Sequence, residues 1–324
     1  MQRLIVFILL LGYAGKGSIQ AQDISFSQPN AMPLYMNPGF AGSKGGVRLI
    51  AGGHLQWMNQ MGGYSASYFS YDQYLRCLRG GLGLEAYSVV ESGGAMGSDF
   101  IRMSYSPTIS VGKRKDDSTR QVVIKPGVYV GIGNHYNRWD KFSWGDMIAP
   151  AYGFIYSTNE VENKNNVQFP DFGTGILVYG KQFYGGVSLA HITEPEMGFL
   201  FTGTPLPIRT IVQGGYCLQG QEWLGKFTLS PSIIYENQSG WNMLNVTITG
   251  TRGMFIGGIS GRSVGAVCLM GGVQYKFLKA GYSWAMLTSK DGSSFGSTHE
   301  LTLGFNFANR KDKKKIRTLD FPAL

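Results

Sequence analysis

Residues 99–111 read "DFIRMSYSPTISV", and within them Ile101, Met103, Tyr105, Ile109 and Val111 alternate with Arg102, Ser104, Ser106, Thr108 and Ser110. A period of two puts the first set on one face of a β-strand and the second set on the other. The pattern returns where Leu244, Val246 and Ile248 alternate with Asn245, Thr247 and Thr249, and where Leu301, Leu303, Phe305 and Phe307 alternate with Thr302, Gly304 and Asn306. Such a strand suits hydrocarbon on its apolar face and a polar lumen on the other. A water-soluble sandwich alternates in the same way, so period alone does not choose. Aromatic residues near strand ends, Trp57, Tyr71, Tyr129, Trp284 and Phe307, favour the membrane, because amphipathic rings settle at its interfaces.

Composition points the same way. The 324 residues include 47 glycines and 13% aromatics but only 15% charged residues, where a soluble domain carries about 25%. Arg3 followed by an apolar run from Leu4 to Leu11, and then by small and polar residues ending in Ile19-Gln20-Ala21, reads as a secretory leader over residues 1–21. That run is too short to span a bilayer as a helix, and no other window approaches 18 consecutive apolar residues, so a helical membrane protein is excluded. Exported, glycine-rich, aromatic and alternating together define an all-β chain: a transmembrane antiparallel β-barrel of the cell outer membrane.

Fifteen segments alternate well enough to be strands, but a bacterial single-chain barrel has an even number. Removing the candidate at 147–157 makes the connections beginning near Tyr71, Gly112, Lys181, Gly220, Thr251 and Lys276 short periplasmic turns. The longer connections, about 136–169, 194–206 and 288–298, then all fall outside the cell. The expectation is therefore about fourteen strands over residues 47–307, preceded by a periplasmic segment at 22–46 and followed by a basic periplasmic tail at 308–324. Glycine pairs such as Gly80-Gly81, Gly185-Gly186, Gly257-Gly258 and Gly271-Gly272 would let such strands bend and the lumen fill closely.

The formal charge of +9 does not point to nucleic acid. The leader holds two of these charges and the tail a net four, leaving three for everything between, too few for a basic binding face. Three widely spread cysteines, Cys77, Cys217 and Cys268, offer neither a disulfide framework nor a metal spacing and read as packing residues. His54, His135, His191 and His299 are scattered, and no nucleophile elbow or His-Glu-x-x-His pair occurs, so neither an enzyme nor a cofactor is expected. Glu85, Arg102, Lys125, Arg209 and Glu300 fall on the lumen register. They would line a pore or pair across a plugged interior, and pairing removes the cost of an isolated buried charge.

The stretch "QDISFSQPNAMPLYMNPGFAGS" at 22–43 has no strand period, yet barrel closure alone does not demand Tyr35, Asn37, Pro38 or Phe40. Pro33 and Pro38 stiffen it. Phe26-Ser27-Gln28, Pro33-Leu34-Tyr35, Asn37-Pro38 and Phe40-Ala41-Gly42, with Gln56-Trp57, Ser70-Tyr71-Asp72, His191 with Pro195, Gly281-Tyr282-Ser283 and His299-Glu300, resemble the PorP/SprF outer-membrane proteins of the type IX secretion system. The resemblance spans almost the whole mature chain. It implies a barrel that serves secretion and gliding, attached to periplasmic machinery or helping a large adhesin or other cargo protein reach and stay on the surface. On that resemblance Phe26, Gln28, Tyr35, Asn37, Pro38 and Phe40 are the candidate partner-binding residues of a docking or plugging segment. The bilayer is the other expected partner. A diffusion channel or small-molecule transporter, motivated by the polar lumen register, is the rival reading.

Overall fold

The computed structural model describes residues 23–57, 63–112, 122–150, 152–160, 164–199, 204–222, 225–288, 296–307 and 319. The leader at 1–21 and, apart from Leu319, the tail at 308–324 lie outside them. The strands are β1 (Val47–Gln56), β2 (Tyr64–Leu75), β3 (Gly80–Glu91), β4 (Met96–Pro107), β5 (Ile109–Val111), β6 (Val122–Asn137), β7 (Ile148–Ala149), β8 (Gly153–Phe154) and β9 (Asn166–Tyr179). They continue with β10 (Phe183–Ala190), β11 (Arg209–Tyr216), β12 (Leu218–Glu222), β13 (Gly225–Gln238), β14 (Trp241–Arg252), β15 (Phe255–Arg262), β16 (Ala266–Tyr275), β17 (Leu278–Leu287) and β18 (Thr298–Phe307). β5 extends β4 along β6, and β12 extends β11 along β13. The result is a ring of fourteen antiparallel staves, closed where β1 pairs with β18. Closure leaves no open sheet edge, which a strand protein in hydrocarbon requires.

The alternation at 99–111 becomes the two faces of the wall. Ile101 and Met103 are exposed on the outside while Arg102, Ser104 and Ser106 are buried within. Val246 and Ile248 point out, and Asn245, Thr247 and Thr249 point in. The segment at 147–157 is not a stave: β7 and β8 form a small separate hairpin inside the long connection 138–165. The other long connections, 191–208 and 288–297, leave the same rim. The opposite rim carries the start of β1, the end of β18 and the turns at 76–79 and 180–182. By the rule that periplasmic turns are short, that rim is periplasmic.

Two expectations need refinement. Tyr129 is buried in the lumen rather than placed at a membrane interface, because it shares the register of Lys125 and Gly127 on β6. The glycine pairs divide their work between the two faces. A Cβ on Gly81 would overlap Ala41, whereas Gly257 and Gly271, paired with each other across β15 and β16, face open space.

Candidate functional site

The lumen is occupied by the chain's own residues 23–46. Pro29, Pro33 and Pro38 each open a short turn, the 3-10 turns Pro29–Ala31 and Pro38–Phe40 and the helical turn Pro33–Met36. Proline suits a first helical position because its φ is already helical and its missing N–H has no bond to make there. Asn37 links the last two turns, its Oδ1 accepting from the Gly39 N–H at 2.8 Å. Three compact turns in succession give a knobbly rod, not a strand, so the segment does not join the sheet.

Each turn is fixed to the wall through buried polar groups. The Ser27 and Gln28 amides donate to the Glu300 carboxylate at 2.7 and 2.9 Å, and the Thr302 hydroxyl donates to Gln28 Oε1 at 2.9 Å. His54 Nδ1 lies 2.9 Å from the same carboxylate. The Tyr35 hydroxyl donates to the Ile24 carbonyl at 2.6 Å, and its ring meets Phe26 and Tyr87 edge-on. Asn37 Nδ2 donates to the Ile176 and Val187 carbonyls, at 3.2 and 3.1 Å. Lower down, Asp72 accepts from the Gly42 amide at 2.7 Å and from Arg48 Nε at 2.6 Å, while Arg48 Nη2 donates to the Phe40 carbonyl at 3.0 Å. The wall is thinned to receive the segment. A Cβ on Gly127 would fall on Gly39, and one on Gly175 would fall on Asn37.

The charges expected in the lumen are all buried there, and most are paired. Arg102 Nε donates to Asp171 at 2.8 Å and Nη1 to Glu85 at 3.3 Å, with the guanidinium also against the Tyr87, Phe100 and Tyr129 rings. Arg209 donates to Glu236 at 2.9 Å and lies over the Tyr35 ring. Lys125 is held by neutral acceptors instead, the Ser106 carbonyl and the Thr108 hydroxyl, at 3.2 and 3.0 Å. His191 joins the two clusters: Nδ1 is 2.9 Å from Asp171 and Nε2 is 2.7 Å from Asp23. Burial opposes the ionisation of Asp23, but the neighbouring His191 and Arg209 charges prevail and hold its carboxyl below the usual carboxylate range. Burial likewise disfavours the His191 cation, and the carboxylates of Asp23 and Asp171 overcome it, raising its pKa. With a carboxylate at each ring nitrogen, the imidazolium can donate both protons.

All six candidate partner-binding residues, Phe26, Gln28, Tyr35, Asn37, Pro38 and Phe40, are therefore buried against the barrel interior, with Gln28 and Asn37 at 0% exposure. The structure brings them together as one rod, and contact with an outside partner requires that rod to leave the lumen. As lumen charges, Asp23, Arg48, Asp72, Asp171 and Glu236 were missed by sequence reasoning, Asp72 having been singled out only by resemblance. The parity of their strands would have found the last four, but Asp23 sits in a stretch without period. Two spaces between rod and wall measure about 50 and 40 Å³, against about 500 Å³ in a vestibule at the loop-bearing rim. Among the described residues no group of three or more His, Cys, Asp and Glu side chains is arranged to hold a metal ion.

A closed ring of strands, apolar outside and charge-paired around its own segment within, defines an outer-membrane β-barrel with a filled lumen. The model of the type IX secretion system membrane protein PorP/SprF matches residues 18–305, and the chain belongs to that family. It is accordingly an outer-membrane component of type IX secretion. Among solved structures, the toluene transporter TodX of P. putida is 10% identical, with a TM-score of 0.44, covering 85% of this chain and 93% of its own. The CymD monoaromatic hydrocarbon channel is 10% identical at a TM-score of 0.39, covering 86% and 93%. A mutant porin of Rh. blastica is 7% identical at 0.34, covering 81% and 99%. No curated protein matches the chain.

Proposed function

We propose that the protein serves type IX secretion as a non-enzymatic, self-plugged barrel. In this reading its long outer connections meet an exported adhesin or other cargo and hold it at the surface, while components of the periplasmic machinery engage the rim that carries the turns and the basic tail. The observation that carries this reading is the filled lumen. Glu85, Arg102, Asp171, Arg209 and Glu236 are committed to ion pairs, and Glu300 to the amides of Ser27 and Gln28. A general diffusion channel needs those groups facing water. The leader at 1–21 belongs to the same proposal, since an outer-membrane protein must be exported.

Two measurements test it. Deleting the gene should leave type IX cargo made but no longer held on the cell surface, and normal surface display would refute the role. In a planar bilayer the purified barrel should be silent, and a stable open conductance would favour the channel reading instead.

A further inference from the structure

The order of contacts along residues 23–46 gives the segment a direction. Gly42 binds Asp72, close to the periplasmic end of β2. Asn37 binds the carbonyls of Ile176, fourth from the periplasmic end of β9, and of Val187, the fifth residue of β10. Gln28 reaches Glu300 near the start of β18, and the Phe26 carbonyl accepts from Arg262, the last residue of β15. Finally Asp23 meets three groups at once: its amide donates to Gln238, the last residue of β13, and its carboxylate faces His191, just past β10, and Arg209, the first residue of β11. Every one of these last positions lies at the rim of the long connections. The segment therefore runs from that rim down the whole lumen before turning up into β1.

We propose that the barrel is threaded by its own amino-terminal segment, so that the end created by leader removal is displayed at the cell surface through the outer mouth. Asp23 is the anchor. Its paired carboxylate fixes the segment at the outer rim, and Asp23, Ile24 and Ser25 form part of the floor of the vestibule of about 500 Å³, alongside Trp57, Tyr64 and Trp241. The inference concerns topology and rests on the sidedness of the rims and on the leader at 1–21 proposed above, not on the cargo role. It has a consequence for assembly: the leader must be cut before the ring closes, because an end still held at the inner membrane cannot lie at the outer mouth.

The test uses the full-length protein in its own outer membrane. A short epitope placed between Gln22 and Asp23 should bind antibody on intact cells. The same epitope in the turn at 76–79, where the native Cys77 is exposed, should bind only after the outer membrane is permeabilised. An amino-terminal epitope that antibody reaches only after permeabilisation, or never, overturns the proposal. A second measurement does not depend on the tag. The Ser25 hydroxyl is 3.5 Å from the Met243 sulfur, so Ser25→Cys and Met243→Cys, combined with Cys77→Ser, should be bridged by a short bis-maleimide in the membrane-embedded barrel. Failure of that cross-link to form, in a barrel that still shifts mobility on heating, overturns it as well.

Discussion

The two sides of the lumen are built differently. From β2 round to β13 the inner wall carries Asp72, Glu85, Arg102, Asp171, Arg209 and Glu236, each paired with the wall or with the segment. From β14 to β16 it carries small neutral groups instead, among them Asn245, Thr247, Thr249, Ser260 and Cys268, with Arg262 at the outer rim as the exception. There Asn245 Nδ2 makes no hydrogen bond among the described residues. One side holds the segment through buried ion pairs, and the other, below Met243 and Arg262 at its outer rim, accommodates it. Desolvated charges fix position strongly because leaving one unpaired is costly, whereas hydroxyls and amides allow sliding at little cost.

The largest expected effect that could break this contrast comes from Arg102→Ala. It leaves Glu85 buried with only the Tyr68 hydroxyl, costs Asp171 one of its two cationic partners and removes three ring contacts, so it should destabilise the barrel by about 3–5 kcal/mol, read from the urea midpoint in detergent. A loss below about 1 kcal/mol would mean that the pairing contributes little. Next comes Gly175→Ala, which pushes a methyl into Asn37. Overpacking of this kind costs about 1–3 kcal/mol, and the segment should become sensitive to protease near Asn37 while the strands stay resistant.

Smaller still is the effect of pH on the anchor. His191 has a raised pKa, so its contribution is fully present below the ordinary imidazole value of about 6.5 and is lost as pH rises through the raised value. Asp23 has a lowered pKa, so its contribution is present above about 3.9 and is lost only as pH falls toward the depressed value. Thiol labelling of a Ser25→Cys variant lacking Cys77, expressed relative to a free thiol at the same pH, should therefore be slowest between these limits and quicken at alkaline pH, and His191→Gln should abolish that relative change. Tyr129, Arg102 and Asp171 surround the same imidazole, so a shift that survives His191→Gln would assign it to one of them. The smallest effect belongs to the neutral side: Asn245→Leu should change the stability read from the urea midpoint by about 1 kcal/mol, since Nδ2 has no acceptor and a single neutral bond, from the Thr247 hydroxyl to Oδ1, is lost. A large loss there would erase the difference between the two sides.

Much of the barrel was legible because lipid imposes a period of two on every stave. Residues 99–111 and 244–249 could be assigned to faces directly, and loop lengths then rejected 147–157. The lumen charges were legible as register positions but not as pairs. Arg102 and Asp171 lie 69 positions apart, and only ring geometry brings β4, β6 and β9 side by side. Tyr129 was misjudged because residue type was weighed over parity with Lys125. The course of residues 23–46 was least legible, since three proline-led turns leave no period and the segment's partners come from eight different strands or more.

Asn37 recognises main-chain carbonyls and the bare backbone of Gly175, not side chains of the wall. The outward side chains of Ile176 and Val187 are thereby released from any duty to the interior. Exchanging either for another apolar residue should therefore leave the hold on Asn37 intact. Position 37 and its facing glycine form a mould and its casting, which can change only together.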